Sequence, residues 1–295
     1  MDKLANLNFN LGKMLGGNPT KKSLVFQSLL NGEDITLDVC SFEEVLPYSL
    51  LSIPISTITP HDNVWIASSM LSRIADVTNT LVVIEDEFPI GTISANEIID
   101  GLQKRPTSEF FSENITKIMN ADFYIDSRTV NIKGILDRMG KSQNPFSIIQ
   151  NDKTSFSQFS IRQTLEIGAL CKTDFGAGSF EKRRIASFKR DDTIKDVIEK
   201  LKKEQSEFVM LEDEFSFVNH EIILEKLKEL SNTQNENIVN LSASTLKAIT
   251  PVLISEKLSI SEICKIMINA KYPCVMTSDR LITPRDVLDV LCKEG

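Results

Sequence analysis

A strand-to-helix junction that recurs along this sequence is the feature that most limits its fold. The fullest copy reads Thr283, Pro284, Arg285 and Asp286, and it follows the short strand-like segment 280–282. A hydroxyl at a helix start with an acid three residues later is the pattern of a capping box. A helix start also suits phosphate, because its N–H groups are unpaired and its dipole is positive there. A single copy predicts only an ordinary helix cap, but recurrence favours a repeated functional unit.

Related junctions occur three more times, and the junctions are separated by roughly 60 residues, a spacing that indicates an internal repeat. The pairs at the hydroxyl and acid positions are Ser94/Glu97, Ser160/Gln163 and Val218/Glu221. In the second copy an amide replaces the acid, and in the third a valine replaces the hydroxyl residue.

The segments that precede the junctions alternate in type. Glu-Asp-Glu-Phe follows an apolar strand in the first and third repeats, at residues 85–88 and 212–215, whereas Pro145 and Pro273 lead into the strand in the second and fourth. This alternation indicates duplication of a two-repeat unit. Each repeat also opens with a short extended segment and an amphipathic helix. The resulting order, strand-helix-strand-strand-helix, predicts small layered α/β (α+β) units.

The sequence resembles proteins made of four cystathionine β-synthase (CBS) domains arranged as two tandem pairs, or Bateman modules. The resemblance rests on the junctions and on segments 48–58 and 115–119. It implies that the domains of each pair pack about a pseudo-twofold axis through their sheets and leave two clefts between them. The implied boundaries are an N-terminal extension of unknown role (1–44), a first pair (45–170, repeats at about 45–104 and 110–170), a linker (171–183) and a second pair (184–295, repeats at about 184–230 and 238–295).

The same resemblance implies a regulatory module without catalytic activity, which binds an adenine nucleotide (AMP, ADP or ATP) and acts on a partner protein. The junction acid would bond the ribose, the hydroxyl residue would hold phosphate, and the opening segment would contact the base. By position, the implied site residues are Asp286, Thr283, Ile249, Thr250 and Val252 in the fourth repeat, and Glu97, Ser94, Ile53 and Ile55 in the first. Ser160 and Glu221 are weaker candidates, because their junctions depart from the pattern.

The chemistry of these residues fits the implied roles. A carboxylate can accept two hydrogen bonds from a cis-diol, and charged acceptors make the stronger bonds. Arg285, beside Asp286, could add positive charge for a phosphate, although a solvated surface position is the alternative for an arginine.

Two other functions stay open at this point. The chain could be a ligand-independent dimerisation and interaction scaffold, which the altered second and third junctions favour. It could also sense another adenosyl compound, such as S-adenosylmethionine or NAD, since the ribose carboxylate would serve each of them.

Composition narrows the class of protein further. The net charge of −8 argues against general nucleic-acid binding. The five cysteines are scattered and suggest neither a disulfide framework nor a metal site. No signal peptide or membrane span is apparent, so we expect a cytoplasmic protein. The two histidines, His61 and His220, have no catalytic partner at a recognisable spacing, and no phosphate-binding P-loop is present, so no enzymatic cofactor is expected.

The resemblance also implies a homodimer formed through the helices of the modules. The apolar helix at residues 64–71, which includes Trp65, is a candidate dimer surface, and burial in the core is its alternative.

Overall fold

Four repeats of one topology make up the described part of the chain. The computed structural model describes residues 41–45, 52–75, 77–142, 144–170, 175–182, 185–204, 206–212, 214–230 and 237–293. Repeat one contains β1 (Thr57–Ile58), α1 (Val64–Ile74), β2 (Thr80–Glu85), β3 (Phe88–Ser94) and α2 (Ala95–Lys104). Repeat two contains β4 (Ile125–Ser127), α3 (Ile132–Lys141), β5 (Phe146–Gln150), β6 (Phe156–Ser160) and α4 (Ile161–Leu170). Repeat three contains β7 (Ser187–Phe188), α5 (Ile194–Lys203), β8 (Phe208–Leu211), β9 (Phe217–Asn219) and α6 (His220–Leu230). Repeat four contains β10 (Val252–Leu253), α7 (Ile260–Ile268), β11 (Val275–Met276), β12 (Leu281–Ile282) and α8 (Pro284–Lys293).

Each repeat builds one three-stranded sheet. The first strand pairs parallel to the second, and the second pairs antiparallel to the third, in all four sheets. A parallel pair needs a crossover connection, and the first helix of each repeat supplies it. The strand-helix-strand-strand-helix order predicted from the sequence is confirmed.

The first helix of each repeat begins at a side-chain cap and buries one apolar stripe. In α5 the Thr193 hydroxyl accepts a bond from the Asp196 amide while the Asp196 carboxylate accepts from the Thr193 amide, so both caps are satisfied. The stripe of α5 consists of Ile194, Val197, Ile198 and Leu201, all buried. Because these positions recur at helical spacing, the helix lies flat on its own sheet.

The sheets of repeats one and two face each other. The backbone N–H of Gln158 donates to the Ile53 carbonyl at 2.9 Å, and the backbone N–H of Thr92 donates to the Asn120 carbonyl at the same distance. The apolar residues between the two sheets are Val82, Phe146, Ile148 and Phe156. Repeats three and four share the arrangement, since the Phe217 amide donates to the Ile249 carbonyl at 2.9 Å.

The segment upstream of each repeat packs on the other repeat of its pair. Phe42, upstream of repeat one, is fully buried against Phe159 of repeat two, with ring centroids 4.9 Å apart. Ala177, upstream of repeat three, donates its amide to Leu258 of repeat four at 2.8 Å. The helical turns in these upstream segments are Phe42–Val45, Ser108–Ser112, Ile115–Lys117, Ala177–Ser179, Ile238–Asn240 and Ala243–Thr245.

Two segments near the predicted boundaries contact the pairs. Ser41 and Phe42, in the predicted extension 1–44, contact Asn131 and Phe159 of repeat two. Residues 175–182 of the predicted linker are anchored on repeat four, where Ala177 and Phe180 are buried. Residues 1–40 of the predicted extension, residues 48–51 of the segment 48–58, and residues 171–174 and 183 of the predicted linker lie outside the described residues.

The helices join one pair to the other within the same chain. Helix α4 of repeat two packs on α7 and α8 of repeat four, and α6 of repeat three packs on α1 and α2 of repeat one. One large core therefore spans repeats one and three, and another spans repeats two and four. The four repeats form a ring in the order one, two, four, three, with sheet contacts and helix contacts alternating around it.

The helix that was the candidate dimer surface contributes to this internal contact. Val64, Ala67 and Leu71 are buried, whereas Trp65 is 44% exposed. The apolar stripe of α1 is thus core, and Trp65 lies outside it. Among the residues described above, no helix has both the length and the apolar character that a bilayer crossing requires.

Candidate functional site

The four junctions converge on one small cavity at the centre of the ring. The starts of α2, α4, α6 and α8 all contribute to its wall. Its volume is about 80 Å³, well below the roughly 300–1,000 Å³ of typical ligand pockets. The charged residues that line it are Arg162, Glu207, Glu221 and Lys271.

Burial shifts the pKa of two neighbouring groups in this wall. It lowers the pKa of His220 to about 4, so this imidazole is neutral near pH 7. It raises the pKa of Glu221, whose carboxyl loses water on entering the wall. Burial therefore disfavours the charged form of both groups.

The candidate Ser/Thr and acid residues cap their own helices. The Asp286 carboxylate accepts bonds from the Thr283 hydroxyl at 2.7 Å and the Thr283 amide at 2.8 Å. Glu97 accepts the same two bonds from Ser94, at 2.5 and 2.7 Å, and both reach one oxygen, Oε2. That geometry leaves Oε1 of Glu97 as an acceptor for another group. In repeat two, the Gln163 side-chain oxygen takes the place of the acid and accepts the two bonds from Ser160.

The third junction lies one residue later than the sequence indicated. Asn219 pairs with Phe208 at the end of β9, as Ser94 pairs with Thr80, and α6 begins at His220. Asn219 therefore occupies the hydroxyl position, and its side-chain oxygen caps the Ile222 amide at 3.0 Å.

This shift changes the assignment of the acid in repeat three. The acid position is taken by Ile222, which is buried, and not by Glu221. The sequence predicts the wrong register here because Glu221 lies three residues after Val218 and so matches the spacing of the motif. Glu221 instead occupies the position that Asn96, Arg162 and Arg285 hold in the other repeats.

The two arginines near the junctions join repeats across the helix contact. Arg285 donates to the carbonyls of Ser142 at 2.7 Å and Met139 at 3.4 Å, and also to Gly140, at the end of α3. Arg162 donates to the carbonyls of Ala270, at 3.2 Å, and Lys271 after α7. A cation at a helix C-terminus complements the helix dipole and its unpaired carbonyls. Arg285 is therefore neither a solvated surface residue nor aimed at a ligand site.

A larger cleft lies between repeats three and four. Its volume of about 690 Å³ is within the range of ligand pockets. Ile249, Thr250 and Val252, the predicted base-contacting residues, line it together with Pro251. The other lining residues are Phe217, Ile222, Glu225, Lys226, Glu229, Thr245, Lys247, Ala270, Lys271, Tyr272 and Cys274.

Thr283 and Asp286 are not among the residues that line this cleft. They follow β12, the strand that pairs with β11 next to the cleft. Cys274 lines the cleft and directly precedes Val275, which pairs with Ile282, the residue before Thr283. Burial raises the pKa of the Cys274 thiol to about 12, so this cysteine is no nucleophile near neutral pH.

Sequence reasoning missed the basic side of this cleft. Lys226, Lys247 and Lys271 come from three separate segments, and no local motif marks them.

The corresponding part of repeat one is more closed. Ile53 and Ile55 are half-buried, and Ile55 packs against the apolar cluster between the sheets of the first pair. The Ile53 carbonyl accepts a hydrogen bond from the backbone N–H of Gln158, so this segment is bonded to repeat two.

Comparisons with known proteins identify the fold. No model of a protein family matches the sequence, and a search of the curated proteins finds no match. A structure from Methanocaldococcus jannaschii, described as a candidate archaeal homologue of γ-AMPK, superposes with a TM-score of 0.67 at 15% identity, over 80% of this chain and 95% of that one. A conserved protein from Pyrococcus horikoshii gives a TM-score of 0.51 at 12% identity, over 81% of this chain and 95% of that one.

A CBS-domain protein from Agrobacterium tumefaciens aligns over 36% of this chain and 78% of its own, at 11% identity and a TM-score of 0.33. The repeat topology and its pairing agree with the fold expected from the junctions. The chain has the fold of a tandem CBS-domain protein, with four repeats in two pairs.

Proposed function

We propose that the chain is a regulatory module that binds an adenine nucleotide between paired repeats and has no catalytic activity of its own. The observation that carries the proposal is the cleft of about 690 Å³ between repeats three and four. It is lined by the opening segment that the resemblance assigned to the base, and it lies beside the Thr283/Asp286 junction.

The lining of this cleft suits a nucleotide. Ile249, Val252 and Phe217 provide apolar surface for a base, and Lys226 and Lys247 provide positive charge for phosphate. Lys226 is partly neutralised by Glu229 at 3.2 Å. A ribose between these two ends would reach Asp286 if the carboxylate turned from its cap toward the cleft.

Similarity to a γ-AMPK homologue supports a regulatory role. Regulation requires that the nucleotide favour one arrangement of the repeats over another, because a ligand shifts an equilibrium only by its differential affinity. The ring provides such an element, since the sheet contacts that frame the clefts alternate with the helix contacts between pairs. A separate effector protein would read the change.

AMP, ADP or ATP as the ligand, a cytoplasmic location and a homodimer complete the proposal. The stripe of α1 that was the candidate dimer surface packs within the chain, so a homodimer would use another face. Trp65 is a candidate contact for such a face, because 44% of its surface is exposed.

A ligand-independent scaffold is the second candidate function. The observation in its favour is that the Asp286 and Glu97 carboxylates accept the hydrogen bonds that cap their own helices. S-adenosylmethionine or NAD in the same cleft is a variant of the first function, since each carries an adenosine ribose.

The test is calorimetric titration of the purified chain with AMP, ADP, ATP, NAD and S-adenosylmethionine. We expect saturable binding by at least one nucleotide, weakened at least about tenfold (about 1.4 kcal/mol) by Asp286→Ala, with Glu97→Ala reporting on repeat one. Glu262→Ala is the matched control, because Glu262 caps α7 through Ser259 in the same way but belongs to no junction. It should lower stability like Asp286→Ala and leave affinity unchanged.

The opposite result is equally clear. If no compound in this panel releases heat or raises the melting temperature at millimolar concentration, the nucleotide proposal fails and the scaffold remains.

A further inference from the structure

Gln158 is a buried amide without a hydrogen-bond partner. Its side chain is completely inaccessible to water, and neither its oxygen nor its nitrogen is paired within the described structure. It lies in the middle of β6, opposite Ile148 of β5. Buried polar side chains are nearly always paired, so such a group calls for an explanation.

The amide faces the interface between the two repeats of the first pair. Side chains alternate along a strand, so Gln158 shares its face with Phe156 and Ser160. Phe156 belongs to the cluster that contains Val82 of repeat one, which shows that this face points toward repeat one. The opposite face carries Phe159, which packs in the core of repeat two.

The equivalent position in the second pair lines the open cleft. Counting back from the junction, Gln158 corresponds to Phe217, as Ser160 corresponds to Asn219. Phe217 and Ile249 exchange two backbone hydrogen bonds at the edge of the cleft of repeat four, and the Gln158 backbone N–H donates to the Ile53 carbonyl in the opening segment of repeat one. Gln158 therefore stands where the cleft of repeat one would contain its ligand.

The opening segment of repeat one, residues 52–56, lies against β6, where Pro54 forms a bridge with Ser157, the neighbour of Gln158. Pro54 in that segment is exposed and its neighbours are half-buried. Two backbone hydrogen bonds hold the segment in place. The Gln158 N–H donates to the Ile53 carbonyl at 2.9 Å, and the Val82 N–H donates to the Ser56 carbonyl at 2.8 Å. A ligand could enter beside Gln158 only if this segment moved away from β6, which would break the bond to the Ile53 carbonyl.

We propose that Gln158 reads the base of an adenine nucleotide bound under the opening segment of repeat one. A glutamine amide offers an acceptor oxygen beside a donor nitrogen. Adenine offers the complementary pair on one edge, the N6 amino group beside the N7 acceptor, and glutamine bonds this edge with two hydrogen bonds. Guanine presents O6 and N7, both acceptors, on the corresponding edge, so the amide oxygen would meet an acceptor.

This inference rests on the proposed function and makes it more specific. The two pairs would then bind the same class of ligand with different base recognition. Phe217 offers only apolar contact in repeat four, whereas Gln158 selects adenine in repeat one. The buried, unpaired side-chain amide of Gln158 is what this selection would cost in stability.

The test uses the full chain in an Asp286→Ala background, which weakens the cleft of repeat four. Titrations with AMP, IMP and GMP are compared for this protein and for the same protein with Gln158→Leu. We expect AMP to bind at least about tenfold more tightly than IMP or GMP before the second substitution. Gln158→Leu should weaken AMP at least about tenfold and reduce the preference to about threefold or less, while the melting temperature rises. Gln150→Leu, the same change at the outer end of β5, should leave affinity and preference unchanged.

The outcomes separate this inference from the proposed function. If AMP binds, Glu97→Ala weakens it, and Gln158→Leu changes only the melting temperature, then Gln158 is structural and the inference is overturned. If no nucleotide binds the unmodified chain, both are overturned. If Gln158→Leu fails to fold, the comparison of AMP with IMP and 7-deaza-AMP without that substitution decides. Equal affinity for AMP and IMP refutes the inference, and so does 7-deaza-AMP binding as tightly as AMP, because 7-deaza-AMP lacks the N7 acceptor.

Discussion

Gly168, in the last turn of α4, allows the first and second pairs to approach closely. A Cβ atom added there would lie 2.5 Å from the Cys264 Sγ of α7 and 3.1 Å from a Val287 methyl of α8. A contact at 2.5 Å is well inside the van der Waals separation, and Cys264 is fully buried, so its sulfur has little room to move. Gly168→Ala therefore has two opposing effects on stability. The steric clash destabilises the protein, and the higher helix propensity of alanine stabilises it.

The structure decides which of these two effects is larger. Replacing glycine with alanine inside a helix stabilises it by about 1 kcal/mol. Overpacking a tight core costs about 1–3 kcal/mol. Two short contacts on different helices put the cost toward the upper end, so we expect Gly168→Ala to lower the free energy of unfolding by about 1–2 kcal/mol.

Two variants isolate the clash. In Gly134→Ala, on α3, the nearest contact of the new Cβ is the Arg138 guanidinium at 3.7 Å, an ordinary distance, so that change should stabilise the protein. In a Cys264→Ala background the sulfur is gone, and Gly168→Ala should then be nearly neutral. The coupling energy of that cycle should be about 1–2 kcal/mol.

The assay is urea unfolding followed by far-UV circular dichroism, with the slope and midpoint compared for each variant. The reasoning is refuted if Gly168→Ala stabilises the protein as much as Gly134→Ala does. It is equally refuted if Gly168→Ala costs the same with and without Cys264.

Two further predictions concern Arg285 and His220. Arg285→Ala removes the donor to three carbonyls at the end of α3 and should lower the free energy of unfolding by about 2–3 kcal/mol. Arg285→Lys should lower it by an intermediate amount. Nucleotide affinity, measured by calorimetry, should be unchanged in both variants. A loss of affinity in a stably folded Arg285→Lys would return this residue to the phosphate role. His220 has a folded pKa of about 4 against 6.5 unfolded, so the unfolded chain binds the extra proton and stability falls as pH drops from 6.5 toward 4, by at most about 3 kcal/mol. Burial raises the pKa of Glu221, which acts in the opposite direction, so the pH dependence of unfolding is compared between His220→Gln and the unmodified chain. Parallel curves for the two proteins would contradict the prediction.

Much of the fold could be predicted because its signals are local and repeated. Strand, crossover helix and hairpin lie close together in sequence, and the capping residues mark where each helix begins. Repetition then revealed the pairs, since alternate repeats share the Glu-Asp-Glu-Phe turn or the proline.

The parts that were missed depend on contacts between distant segments. Phe42 looked like part of an unassigned extension, because nothing near it shows that it fills the core of repeat two. The lysines of the cleft come from separate segments for the same reason. The third junction was placed one residue too early because Glu221 matched the motif, whereas strand register put Asn219 at the cap. The unpaired amide of Gln158 has no sequence signature, since pairing is a property of the folded interface.

Joining the two pairs in one chain has a consequence for symmetry. In a twofold dimer of identical chains, each residue appears on both sides of the interface, so any substitution is made twice. Here the helix contacts between pairs are intramolecular, and each junction is encoded separately. Gln163 and Ile222 can therefore replace the acid in two positions while Glu97 and Asp286 keep it in the others. The ring retains the shape of a symmetric assembly, but its four positions are free to acquire different tasks.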